Sequence, residues 1–110
     1  MTNLMSMTDT EFHQRADAFL TDLEDCLDAA DIDWERAPGG VMQIDFDNGT
    51  QIIINKQPPL QEIWVAARSG GFHFRRAGEV WVDTRSGDEL SVALNRCCSE
   101  QAGRVVDLNA

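Results

Sequence analysis

Ten carboxylates crowd the first third of this 110-residue chain: Asp9, Glu11, Asp17, Asp22, Glu24, Asp25, Asp28, Asp31, Asp33 and Glu35, opposed only by Arg15. Ten acids against one base carry a charge of −9, out of −10 for the whole chain, so the acidity is a local device. Side chains that offer only oxygen, with neither thiolates nor a histidine cage beside them, suit hard cations such as Ca2+, Mg2+, Mn2+ and iron outside a haem or cluster. A tight calcium cage is not expected, because the EF-hand loop spacing is absent. His13 lies beside the acids and could add a nitrogen ligand, although a solvated helix histidine is the plainer reading. For the run as a whole the plain reading is a solvated face, and the sharper ones are a cation site or a docking surface for a basic protein.

Catalytic patterns are missing. The chain has no glycine-rich phosphate loop after a strand, no GxSxG and no HExxH. Neither histidine has an evident triad partner, and His73, in Phe72-His73-Phe74, reads as an ordinary sheet residue. Cys26, Cys97 and Cys98 form an odd set without CxxC spacing, which indicates neither a disulfide framework nor a tetrahedral zinc site. Cys97 follows Leu90 and Leu94 on one helical face, so it reads as a small buried hydrophobe.

The acids need an element to carry them. Thr8 with Glu11 three residues on forms a capping box, and Met7 with Phe12 supplies a hydrophobic staple, so a helix starts here. Its apolar positions Phe12, Ala16, Phe19, Leu20, Leu23, Leu27 and Ala30 fall within a stripe of about 100°. The acids avoid that stripe: Asp17, Glu24 and Asp28 align on one flank, Asp25 lies behind them, and Glu11 and Asp22 occupy the other side. Glu24 with Asp28 and Asp25 with Asp28 are like-charge neighbours, each pair costing a few tenths of a kcal/mol. Asp28 and Asp31 also stand at the helix C-terminus, where the dipole disfavours anions. Repulsion placed like this implies that something offsets it in use.

Beyond the helix the period becomes two. Strands are expected at Ile32 to Arg36, Val41 to Phe46, Gln51 to Asn55, Glu62 to Arg68, Gly71 to Arg75 and Val80 to Asp83, separated by turn signals such as Pro38-Gly39-Gly40 and Asp47-Asn48-Gly49. Pro58-Pro59 should stop one strand before the next begins. A second helix follows from Asp88 to Gln101, with Leu90, Ala93, Leu94 and Cys97 inward and Gly103 past its end. Val105 to Leu108 can then return across the core. The sum is an α+β fold, a two-layer sandwich with one antiparallel sheet and two helices on one of its faces. Residues 1–6 read as a flexible tail and residues 7–110 as a single domain.

If Ile63 and Val65 point to the core, Trp64 points to water, where an exposed Trp resembles a hot spot for a partner. Trp34 and Trp81 are not placed by pattern. A net charge of −10 with scattered bases argues against nucleic acid and anionic membranes. No apolar run approaches the roughly 20 residues of a membrane span. The first residues lack the basic and apolar regions of a signal peptide, and a cytoplasmic location is the expectation.

Asn48-Gly49-Thr50-Gln51-Ile52-Ile53-Ile54-Asn55-Lys56-Gln57-Pro58-Pro59-Leu60-Gln61-Glu62-Ile63-Trp64-Val65-Ala66 resembles the bacterial frataxin family. Ser69-Gly70-Gly71-Phe72-His73-Phe74, Trp81-Val82-Asp83, Arg85-Ser86-Gly87 and the opening Thr10-Glu11-Phe12-His13 extend the likeness over about residues 7 to 108. The resemblance implies the frataxin-like sandwich and iron, as Fe2+ or Fe3+, weakly bound at a surface carboxylate ridge where other divalent cations substitute. It also implies a role in iron–sulfur cluster assembly, as iron donor or sensor or as regulator of the cysteine desulfurase complex. Carried over residue by residue, the ridge is Asp17, Asp22, Glu24, Asp25, Asp28, Asp31 and Asp33, with Glu11 and His13 near its start. The exposed sheet surface for the partner is Asn55, Gln57 and Trp64. Partners implied are cysteine desulfurase and the iron–sulfur scaffold protein, met by a monomer, with metal-driven oligomers as the alternative. Here Ala29-Ala30 run directly into Asp31, so the ridge is thinner at that end than in many bacterial relatives.

Two other readings stay open. In one the chain is an acidic interaction module whose metal binding is incidental. In the other it oxidises Fe2+, which has least support because no buried di-iron cluster of histidines and carboxylates is visible.

Clustered carboxylates make stability depend on screening. Adding salt or a divalent cation is expected to raise the melting temperature by a few degrees. A melting curve indifferent to ionic strength would show that the repulsion is already relieved within the fold.

Overall fold

The computed structural model describes residues 7–108, and the expected tail at residues 1–6 lies outside them. The capping box forms as read: Glu11 N–H donates to Thr8 Oγ1 at 3.1 Å and Thr8 N–H donates to Glu11 Oε1 at 2.9 Å. It opens α1 (Asp9–Ala29), which buries Phe12, Ala16, Leu20, Leu23 and Leu27. Each large side chain of that stripe contributes about 1.5–3 kcal/mol by leaving water.

Six strands follow: β1 (Asp33–Ala37), β2 (Val41–Asp45), β3 (Gln51–Gln57), β4 (Glu62–Ala67), β5 (Gly70–Ala77) and β6 (Val80–Asp83), with one 3-10 turn at Pro58–Leu60. They pair in sequence order as a single antiparallel meander. Alternation puts Met42, Ile44, Ile52, Ile54, Ile63, Val65, Phe74 and Trp81 on the buried face. α2 (Leu90–Ala102) packs Leu90, Ala93, Leu94, Cys97 and Cys98 onto the same face and ends at Gly103. The two helices thus cover one side of a six-stranded sheet, the two-layer sandwich expected from the sequence. Among the described residues no helix is long and apolar enough to cross a membrane.

α2 starts two residues later than its sequence suggests, because Asp83 N–H donates to Asp88 O and Val82 bridges Glu89, which keeps those residues beside β6. Val106 and Leu108 do return across the core, both buried, held by Ser99 Oγ and Asn95 Oδ1. Gln101 is buried and stitches α2 to the sheet: its amide donates to Thr50 Oγ1 and Gln51 O, and its carbonyl accepts from Arg68 N–H. Trp81 lies in the core with its ring edge-on to Phe12, centroids 5.9 Å apart.

The end of α1 sets the position of its last acids. Asp31 N–H donates to Asp28 O and Ile32 N–H to Leu27 O, the paired bonds of a Schellman motif, and Ile32 and Leu27 are both buried. Asp31 holds the left-handed position at φ 60°, where glycine is ordinarily preferred. Replacing Asp31 with Gly is therefore expected to stabilise the fold by about 1 kcal/mol, a rise of roughly 4 °C in Tm. Asp31→Ala should lower it, since Ala keeps the Cβ and loses the short polar side chain. Equal melting temperatures for the two variants would rule out backbone strain as the cause.

Candidate functional site

The flank formed by Asp17, Glu24 and Asp28 does not stand alone above the sheet. Lys56 Nζ reaches Asp17 Oδ1 at 2.6 Å and donates to His13 Nδ1 at 3.2 Å. Arg36 Nε lies 3.1 Å from Glu24 Oε2, and Trp34 Nε1–H donates to Asp28 Oδ1 at 2.8 Å. At the helix end Arg104 donates to Ala30 O at 2.8 Å, so a guanidinium meets the negative end of the dipole. The acids of α1 therefore have more opposition than Arg15, which pairs with Glu11 at 3.8 Å. This corrects the reading of an unrelieved flank. The signal lay in the alternation: Arg36 pairs with Met42 and Lys56 with Ile63, so both point to the helix-covered face. Long basic side chains in that position can only extend along α1. Gly40 assists, since its φ of 77° and lack of a Cβ leave room for the Lys56 stem.

The remaining predicted ligands are disposed differently. Glu11 serves the helix cap, and the Thr8 N–H holds its carboxyl below the ordinary value, with the Thr8 hydroxyl and Arg15 adding to the effect. Asp22, Asp25, Asp31 and Asp33 are exposed, and among the described residues no hydrogen bond or ion pair involves their carboxylates. Burial, helped by Asp22 and Asp25, pushes the Cys26 thiol up. Cys98 is pushed up to about 12 by burial first and Cys97 second, which keeps it protonated at neutral pH.

Asp45 and Asp47 belong with the ridge and were missed in the sequence. The β1–β2 register sets Asp33 opposite Asp45, and Asp31, Asp33, Asp45 and Asp47 line one cleft of about 150 Å3 together with Arg104. Hairpin register was the signal that could have found them. Among the described residues no group of three or more His, Cys, Asp or Glu converges as a cage. The donors fit a hard cation held by one or two carboxylates that keeps most of its water.

The other surface lies on the open face of the sheet. Ile63 and Val65 are buried, so Trp64 faces outward, across from Asn55, while Gln57 faces Glu62. Asn55, Gln57 and Trp64 thus come together. Trp64 is half-buried instead of free: its ring stacks on His73 with centroids 4.2 Å apart and an 8° tilt, and its Nε1–H donates to Glu62 Oε1 at 2.9 Å. Glu62 is 4% exposed, and its other oxygen accepts from Arg75 Nη2 at 2.7 Å. His73 Nδ1 lies 4.0 Å from Oε1. One carboxylate therefore fixes an aromatic platform.

A family profile for the frataxin-like domain matches residues 5–104. The chain is 52% identical over 102 residues to the iron-sulfur cluster assembly protein CyaY of Aeromonas salmonicida (strain A449), covering 91% of this chain and 97% of that one. It is 55% identical over 96 residues to the protein of the same name from Cupriavidus necator, covering 86% of each. Among solved structures it is similar to a frataxin from Psychromonas ingrahamii, with TM-score 0.86, 32% identity, and coverage of 94% of this chain and 100% of that one. It is also similar to trimeric frataxin from Saccharomyces cerevisiae complexed with ferrous iron, with TM-score 0.71, 31% identity, and coverage of 82% and 87%.

Glu62→Ala should cost about 1–2 kcal/mol and alter Trp64 fluorescence, because Trp64 and Arg75 lose their common acceptor. Glu62→Gln keeps an acceptor for the indole and should lie nearer the parent. Unchanged stability and emission in the alanine variant would remove Glu62 as the anchor of the platform.

Proposed function

The chain belongs to the frataxin-like family, and from that premise we propose that it binds iron weakly along α1 and β1 and takes part in iron–sulfur cluster assembly. Its role there is that of an iron donor or sensor, or of a regulator of cysteine desulfurase. The observation that carries this reading is the set of exposed carboxylates at Asp22, Asp25, Asp31 and Asp33, which have no partner among the described residues. Asp17, Glu24 and Asp28 stand beside them, already balanced by Lys56, Arg36 and Trp34. The names of the similar CyaY proteins and the ferrous complex of the yeast frataxin support it.

The physics suits transfer better than storage. A cation on a rigid helix face meets too few carboxylates at once to fill the six or so positions it prefers, so affinity is low and release is easy. The same face attracts a basic protein surface, which brings the cation to the partner that consumes it. Asn55, Gln57 and Trp64 form the second contact, on the sheet face. The proposal gives no residue a catalytic role.

A second reading, an acidic docking module with incidental metal binding, has its own support. Lys56 and Arg36 already sit against Asp17 and Glu24, which supports a flank that accepts basic side chains.

The test is an anaerobic Fe2+ titration of isotope-labelled protein, repeated with Mg2+. Selective broadening of amide signals at Asp22, Asp25, Asp31 and Asp33, with Asn55 to Trp64 untouched, is expected for an iron site. An equal response to Mg2+ favours the docking module. Reversal of both Asp22 and Asp25 to Lys should weaken iron and desulfurase binding about tenfold or more. Loss of desulfurase binding alone, with iron binding intact, would separate the two surfaces.

A further inference from the structure

Most basic side chains of this acidic protein are spoken for. Arg15, Arg36, Lys56, Arg75 and Arg96 lie in ion pairs, and Arg76 and Arg104 donate to carbonyls. Among the described residues Arg68 and Arg85 have no side-chain partner, and both are exposed. Arg85 lines an open cleft of about 380 Å3 between the start of β5, the loop after β6 and the middle of α2, together with His73, Thr84, Ser86 and Arg96.

Two acids also line this cleft, and neither forms an ion pair with the Arg85 guanidinium. Asp83 is 9% exposed, and its Oδ1 is turned into its own loop, accepting from Arg85 N–H at 2.7 Å and Ser86 N–H at 3.2 Å. Asp88 is committed to Arg96 at 3.7 Å. The lining therefore holds the Arg85 guanidinium, exposed and without a side-chain partner among the described residues, beside the hydroxyls of Thr84 and Ser86. His73 belongs to the cleft and to the Trp64 platform at once, so the two form one continuous surface. A planar guanidinium is the side chain best shaped to take both oxygens of a carboxylate.

We propose that this cleft receives a carboxylate carried by the protein partner that covers Trp64, with Arg85 as its counter-charge. This rests on the reading of the sheet face as a partner surface. It gives the two faces opposite preferences: the flank of α1 takes cations and basic side chains, while the sheet face and its cleft take an aromatic or apolar contact beside an acidic one. A segment bearing a carboxylate is steered away from α1 and towards Arg85 by the same field.

The experiment measures binding of Arg85→Glu, Arg85→Gln and Trp64→Ala variants to the purified desulfurase–scaffold complex at low and high salt, with melting curves to confirm folding. Arg85→Glu should weaken binding at least tenfold at low salt, Arg85→Gln less, and both should flatten the salt dependence, which a merely structural defect leaves intact. Trp64→Ala should weaken binding at either salt. If Trp64→Ala weakens binding and Arg85→Glu does not, the cleft proposal is overturned and the sheet-face reading stands. If none of the three changes binding, the sheet-face reading fails and the proposal with it. Tighter binding by Arg85→Glu would mean that the cleft meets a base, which also overturns it.

Discussion

The sheet is covered on one face only, because each strand supplies a single inward row and the two helices bring just enough apolar surface to close over it. Phe12, Ala16, Leu20, Leu23 and Leu27 of α1 must lie down on Met42, Ile44, Ile52, Ile54, Ile63, Val65, Phe74 and Trp81. Once they do, the rest of α1 is exposed by geometry, and every acid on it is pushed to a flank or an outer side. The opposite face of the sheet is left without a helix for the same reason. Both proposed surfaces are thus what remains after one core has been made.

The flank then has to be tolerable before anything binds to it. Lys56, Arg36 and Trp34 rise from inward positions near the strand ends and meet Asp17, Glu24 and Asp28 at 2.6, 3.1 and 2.8 Å. Exposed pairs of this kind contribute at most about 1 kcal/mol each. That offsets part of the like-charge repulsion along α1, while Asp22 and Asp25 keep no partner among the described residues. Partial relief of this sort leaves a stable fold with an available surface.

Much of this was legible in the chain. The capping box at Thr8 and the stripe from Phe12 onwards defined α1, and Pro38-Gly39-Gly40 and Asp47-Asn48-Gly49 marked turns of the meander. The outward direction of Trp64 followed from Ile63 and Val65. Local rules stop at contacts between distant segments. That Lys56 would find Asp17, or that Gln101 would join Thr50 to Arg68, depends on which strand end lies under which helix. Strand ends drifted for a related reason: β3 runs on to Gln57 because the 3-10 turn begins only at Pro58, and β5 starts at Gly70 because Ala67 pairs with it. The stack of His73 on Trp64 needed the β4–β5 register, which a meander permits but does not number.

Among the described residues the unpaired acids are concentrated but not confined: Asp22, Asp25, Asp31 and Asp33 lie along α1 and up to the start of β1, while Glu79, Glu89 and Glu100 lie elsewhere and Arg68 and Arg85 follow β4 and β6. The field around the protein is therefore uneven, and strongest where the acids cluster. A charged body approaching from solution exerts a torque on such a molecule as well as a pull, and turns it before touching it. One orientation is thereby favoured during diffusion, at distances of about a Debye length, roughly 8–10 Å at ordinary ionic strength.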